Sequence, residues 1–263
     1  MELRDLATRI LFADTLEDKY FQPHDGLESL SDREPGTPEL WREPARPADL
    51  QISPRNKRKR LPHPDNLHDP EMAVRVLHAF ANHELMALEL MAWALLAYPD
   101  APASFRAGLV RLLFDEQRHL RMYAERIAEL GARFGDLPVN DHFWRCAESL
   151  TTPLKWVCAM NLTFEQGNLD HAGQFEEYFR AVEDERTAAI MTQILEDEIH
   201  HVGFGARFLN EHTPPGSSSF ELYVQNLTFH NEPARARGTA FNAEARRKAG
   251  LDEDFITRME RSL

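Results

Sequence analysis

Asp115-Glu116-Gln117-Arg118-His119 and Asp197-Glu198-Ile199-His200-His201 are the two stretches whose reading decides the fold of this 263-residue chain. Each holds a Glu-x-x-His deep inside a run of helical periodicity, and a spacing of three sets the Glu and the His on one helix face. Leu109, Leu112, Leu113 and Leu120 flank Glu116, while Met191, Ile194, Leu195 and Val202 flank Glu198. Both glutamates are therefore expected to point into an apolar core. An ionised carboxylate is costly to bury unless a partner or a metal compensates it. Each stretch accordingly calls for a cation.

Working outward, Asp69-Pro70 reads as an N-cap followed by a first-turn proline, and Met72 to Tyr98 then runs without Gly or Pro. Pro99 to Pro102 forms a turn, Ser104 is expected to cap, and Phe105 to Leu130 makes a second helix ended by Gly131. Residues 131–152 suit a crossover with a short helix-like piece at 142–149. A third helix is predicted over 153–182, with Gly167 and Gly173 as weak points, and a fourth over 184–211, stopped by Pro214-Pro215-Gly216. No alternating strand pattern is present.

The first and third predicted helices each add a glutamate on an apolar stripe, Glu84 and Glu165. Glu84 and Glu116 are centred on residue 100, inside the first turn; Glu165 and Glu198 are centred between Ala181 and Val182, where the second turn belongs. In two antiparallel hairpins each couple lies at one level, roughly 20 to 25 Å from its tip at ~1.5 Å per residue. The halves thus form an internal pseudo-repeat, and Glu84, Glu116, His119, Glu165, Glu198 and His201 can converge. Four carboxylates and two neutral imidazoles carry a charge that two divalent cations neutralise. Oxygen and imidazole ligands suit iron or manganese, with positions open to dioxygen. Any one of these residues alone would read as a surface carboxylate or a core histidine; six in register favour a dimetal site.

Asp115 and Asp197 precede the two motif glutamates. A ligating histidine commonly donates its other N–H to a carboxylate, which pairs Asp115 with His201 and Asp197 with His119; ion pairing toward solvent is the equal alternative. Glu89 and Asp170, each five residues after a lone glutamate, repeat the pseudo-symmetry, with simple ion pairing as the alternative reading.

The flanks differ in character. Residues 1–69 hold closely spaced prolines from Pro23 to Pro64, which forbid long helices. They read as an extended arm with one short amphipathic helix near Leu3 to Phe12, lying on the main body or on a partner subunit. Residues 213–263 read as an irregular C-terminal arm with a helical patch near 242–249. The net charge of −13 disfavours a general nucleic-acid binder. The one strongly basic run, Arg55 to Arg60, reads as a solvated loop or an intramolecular clamp, with a phosphate or RNA contact as the minority reading. No long apolar window and no basic leader at the start point to a membrane or export route, so a cytoplasmic location is expected. Cys146 and Cys158 cannot build a four-cysteine metal site and are expected to be buried and reduced.

The six candidate ligands resemble the ferritin-like di-iron carboxylate superfamily, in which two helices give one Glu each and two give Glu-x-x-His. The likeness covers about residues 70–212. It implies an all-α fold, a ferritin-like four-helix bundle of two antiparallel hairpins joined by a long crossover, here with extended arms at both ends. Asp115 to His119 looks like the D-E-x-R-H motif of desaturases and bacterial multicomponent monooxygenases. More closely, His83-Glu84-Leu85, Glu165 to Asp170, Asp197 to Val202 and Phe241 to Arg246 resemble a bacterial ferritin-like family of unknown function, distantly related to tRNA-modifying hydroxylases. Tyr123 follows His119 by four residues, as does the radical tyrosine of the ribonucleotide reductase small subunit, although core packing is the commoner use of such a residue.

The resulting expectation is an oxidase or oxygenase that activates O2 on a small organic substrate. It would hold two transition-metal ions, Fe/Fe or alternatively Mn/Fe, draw on an external electron donor and form a homodimer. The competing classes are a ferroxidase or other iron-handling protein and a metal-free helical scaffold.

Overall fold

The computed structural model describes residues 1–52, 61–228 and 231–262; the basic run Arg55 to Arg60 lies outside the described residues. All regular secondary structure among the described residues is helical, and the strand-like pairings there are isolated bridges, Glu2 with Ser31 and Ile52 with Val139. None of the described helices is long and apolar enough to cross a membrane. The chain divides into two compact units, Met1–Arg145 and Cys146–Leu263.

The first unit is built on the hairpin of α3 (Pro70–Ala97) and α4 (Ala103–Glu129). Asp69 caps α3 by accepting the Glu71 N–H, and Pro70 fills the first turn where no donor is needed. Helix α4 starts earlier than expected. Its N-cap is Pro102 with no side-chain cap, and Ser104 lies inside the first turn. A proline at the cap supplies extended backbone (ψ 140°) and ends the preceding turn, so no hydroxyl cap is required.

The N-terminal segment is fastened along this hairpin. Helix α1 (Leu3–Leu11) buries Leu3, Leu6, Ala7, Ile10 and Leu11 and packs on α3, and the one-turn helix α2 (Leu16–Lys19) follows. Arg106 donates to both oxygens of Asp32 at 2.6 and 2.7 Å, and the backbone N–H of Glu39 reaches the Leu96 carbonyl. Trp93 Nε1 donates to the Trp41 carbonyl at 2.9 Å. The deepest tie is at Glu89, which is fully buried. It accepts from Arg46 Nη2 at 2.7 Å and from Trp144 Nε1 at 3.0 Å, with Lys19 Nζ 3.1 Å away.

The second unit carries the hairpin of α5 (Pro153–Ala159) and α6 (Gln166–Ala181) with α7 (Glu185–His212). The predicted third helix is not a uniform α-helix. A π-helical segment, Met160–Glu165, separates α5 from α6, and the glycines expected to weaken the helix sit within α6 instead. The widened turn is supported from the side chains, because Thr163 Oγ1 donates to the Cys158 carbonyl five residues back at 2.7 Å. Asp184 caps α7 by accepting from the Thr187 N–H at 2.9 Å.

The C-terminal segment is more regular than its sequence suggests. It holds α8 (Ser219–Gln225), α9 (Ala243–Lys248) and α10 (Glu253–Glu260), capped by Ser218, Asn242 and Asp252. Phe220 and Tyr223 of α8 each place a ring 5.3 Å from Phe255 of α10, so an aromatic cluster holds these two short helices together, while α9 packs on α6, α7 and α10. Such helices are marginal alone and form through packing. Cys146 and Cys158 are buried and form no disulfide, and burial pushes both thiols up to about 12.

Candidate metal-binding trios

Each hairpin gathers two glutamates and one histidine in its interior. In the first unit, Glu84 comes from the middle of α3, and Glu116 and His119 from one face of α4. All three are buried, the latter two with no exposed surface. His119 Nδ1 lies 3.7 Å from Glu84 Oε2 and 3.7 Å from Glu116 Oε2. Donor atoms of the three sit within 4.8 Å of one another, a spacing at which they could hold one ion. The Glu84 carboxyl is held well above the ordinary carboxylate range, first by burial and then by the Glu116 carboxylate beside it; His119 opposes the shift.

The second unit repeats the arrangement. Glu165 ends the π-helical segment, and Glu198 and His201 share one face of α7; all three are buried. His201 Nδ1 lies 4.0 Å from Glu165 Oε1 and 3.7 Å from Glu198 Oε2. Here both carboxylates are also gripped by amides. Asn161 Nδ2 donates to Glu165 Oε2 at 2.5 Å, and Asn168 Nδ2 donates to Glu198 Oε1 at 2.8 Å. Sequence reading did not single out either asparagine, although both stand one helical turn from Glu165.

The neighbours of the motif glutamates make contacts along their own helices. Asp115 pairs with Arg118 at 2.8 Å, one turn along α4, and Asp197 accepts from Gln193 Nε2 at 3.2 Å. Tyr123 is buried, its ring 5.9 Å from that of Phe80. Gln117 has a clear structural task. Its Nε2 donates to the carbonyls of Lys19 and Phe21 at 2.7 and 3.1 Å, and its Oε1 accepts from Gln22. The residue beside Glu116 thus anchors the N-terminal segment. Glu89 and Asp170 take the ion-pair role, with Arg46 and Arg246.

The donor sets fit a hard or borderline divalent cation. Two carboxylates and an imidazole per trio offer the charge and the atoms that iron or manganese takes, with no soft sulfur ligand among them. Burial of two carboxylates beside one histidine is otherwise unfavourable.

A family model matches residues 6–257, nearly the whole chain. The chain belongs to DUF455, described as a protein of unknown function. The DUF455 match takes in both trios and both flanking segments, including Arg46 and Arg246, so the anchored arms lie within the family's extent. No curated protein and no solved structure gives a significant match.

Proposed function

We propose that each trio holds one transition-metal ion and that the two ions act together as a dimetal centre of the ferritin-like di-iron carboxylate type, in a four-helix bundle spanning about residues 70–212. The observation that carries this reading is the repetition of a buried Glu/Glu/His set in two hairpins of one chain, each histidine Nδ1 lying 3.7 to 4.0 Å from two carboxylate oxygens. Bound iron, or a manganese and iron pair, would supply redox chemistry toward dioxygen. The protein's own part is to fix the ligands and keep them dry. Glu84, Glu116, Glu165 and Glu198 give the carboxylate oxygens, and His119 and His201 give Nδ1. All six side chains are buried away from water, which strengthens every charge interaction among them.

The reaction class proposed is oxidation of a small organic substrate, with electrons from an external donor and a homodimer as the working form. Anchored arms favour this over iron storage, since Arg46, Gln117 and Arg246 commit both flanking segments to their own hairpins rather than leaving a bare bundle surface.

The test is metal analysis of the full chain loaded anaerobically with Fe(II), followed by oxygen uptake with a chemical reductant and by sedimentation. About two ions per chain, catalytic oxygen uptake and a small oligomer are expected. No retained metal in folded protein would overturn the dimetal reading, and a many-subunit cage with a large iron load would replace the oxidase with a ferroxidase.

A further inference from the structure

The π-helical segment that ends at Glu165 is braced by a side chain from outside its own hairpin. Thr163 Oγ1 has one proton and gives it to the Cys158 carbonyl at 2.7 Å, so the Tyr223 hydroxyl, 3.0 Å away, is the donor to Thr163. In a regular α-helix a threonine hydroxyl returns to the carbonyl three or four residues back. Thr163 reaches five residues back, a contact that the widened turn allows. Cys158, Thr163 and Tyr223 are all fully buried, where leaving a polar group without its partner is costly.

The donor is itself fixed in place. Tyr223 sets its ring 5.3 Å from that of Phe255 and 5.9 Å from that of Phe220, and Ser219 Oγ ties α8 to the cap of α10 by donating to Asp252 Oδ2 at 2.7 Å. A tyrosine has few side-chain torsions, so a clamped ring gives a hydroxyl of fixed position. Glu165 is the last residue of the widened segment, with Oε1 4.0 Å from His201 Nδ1. Closing the turn to an α-helical one would rotate the stretches before and after it against each other by one residue's angle, roughly 100°. The bearing of the Glu165 carboxylate on α7 therefore depends on the turn staying wide.

We propose that Tyr223 and Thr163 are positioning residues whose hydroxyls, acting in series, keep the turn before Glu165 widened and so hold this glutamate in place beside His201. The C-terminal segment is then part of how the metal site is built. This rests on the dimetal reading above, and it asks of Glu165 only that it be one of the ligands. Single π turns inside α-helices are rare and recur at functional sites; here the two hydroxyls offset the cost of interrupting the α-helical ladder.

The experiment is a Co(II) titration of the metal-free full chain, read by the cobalt d–d absorption and by equilibrium dialysis beside thermal melts, on wild type, Tyr223→Phe, Thr163→Val, Thr163→Ser, Glu165→Gln and Phe220→Leu. Tyr223→Phe keeps the buried ring and loses the donor. It is expected to fold, to bind cobalt more weakly by about 10-fold or more, and to move the cobalt band in the direction that Glu165→Gln moves it. Thr163→Val should do the same, and both changes together should cost little more than either alone, because they break one chain of bonds. Thr163→Ser, which keeps the hydroxyl, should restore wild-type binding. Phe220→Leu loosens the aromatic cluster without removing a hydroxyl, so it should lower the melting temperature and leave the cobalt band in place. Should Thr163→Val fail to fold, Tyr223→Phe decides the matter. Two cobalt ions bound by Tyr223→Phe with the wild-type affinity and band would overturn this inference and leave the dimetal centre standing. Folded wild type that binds no cobalt would overturn both.

Discussion

Arg246 of the C-terminal segment lays its guanidinium across Asp170 of α6, at 2.7 and 3.0 Å, with both side chains buried. The same carboxylate accepts the backbone N–H groups of Gly238 and Asn242 at 2.8 and 2.6 Å, so one buried aspartate gathers three stretches of the arm. Asp170 follows Glu165 by five residues, as Glu89 follows Glu84, and Glu89 receives Arg46 from the other arm. Each hairpin therefore ties down its own flanking segment through a carboxylate just beyond its lone trio glutamate.

Removing the arginine strands a buried charge that also orders backbone. Arg246→Met is expected to destabilise the protein by about 3 to 5 kcal/mol, the usual cost of breaking a buried pair from one side. Arg46→Met should cost less, because Lys19 Nζ remains 3.1 Å from Glu89. Urea unfolding of the two variants checks the order, and equal losses would mean that Lys19 does not compensate.

The hairpins and the trios were legible because their signals are periodic and redundant: Asp69-Pro70, Gly131 and the Pro214-Pro215 stop bracket long apolar stripes, and burial along those stripes put Glu84, Glu116, Glu165 and Glu198 inside. The π-helical segment was not legible. It depends on Thr163 reaching the Cys158 carbonyl and Tyr223, a contact sixty residues away in sequence. Asn161 and Asn168 escaped notice for a related reason, since an asparagine one turn from a glutamate is unremarkable until the carboxylate's two oxygens are seen to face different partners. The helices α8 to α10 carry readable caps at Ser218, Asn242 and Asp252, but α8 and α10 are held by the Phe220, Tyr223 and Phe255 cluster and α9 by packing on α6, α7 and α10, which no local pattern announces.

Gly205 gives a packing prediction. A methyl group there would meet the Asn161 Cβ at 2.5 Å and the Leu162 side chain at 3.2 Å, and a Cβ bonded directly to the backbone cannot swing aside. Gly205→Ala is expected to lower stability by about 1 to 3 kcal/mol, the range for overpacking a filled core. Gly173→Ala, whose nearest neighbour is Leu195 Cδ2 at 3.7 Å, should be neutral or stabilising. Thermal melts of the pair test this, and a Gly205→Ala protein as stable as wild type would show that α7 can move away from Asn161.

Glu84→Gln separates ligand function from fold stability. In the metal-free protein Glu84 and Glu116 are buried beside one another, so replacing one with an isosteric amide removes like-charge repulsion and a desolvation penalty. The metal-free variant is expected to melt at or above the wild-type temperature. Wild type should gain stability on adding Mn(II), because an ion that binds the native state shifts the folding equilibrium, and the variant should gain distinctly less. Equal gains in both proteins would remove Glu84 from the ligand set.

His78 makes the acid limb of the stability curve testable. Its Nε2 accepts from the backbone N–H groups of Gly135 and Leu137 at 3.0 and 3.3 Å, which the neutral ring can do and the protonated ring cannot. Burial, in part against Phe134, lowers its pKa from 6.5 to about 4, opposed by a backbone hydrogen bond of the ring and by the Asp136 charge. The unfolded chain therefore takes up a proton on this residue below about pH 6.5 that the native state refuses until about pH 4. The stability contributed by the neutral ring is fully present above pH 6.5 and is lost as pH falls between those two values, by up to about 1.4 kcal/mol per pH unit. His78→Gln offers a neutral acceptor that does not titrate. It should be somewhat less stable than wild type at pH 7.5, yet lose less stability on going to pH 4.5, so the two curves converge on the acid side. Parallel curves from urea unfolding across that range would show that the 131–139 turn is held by something other than the neutral imidazole.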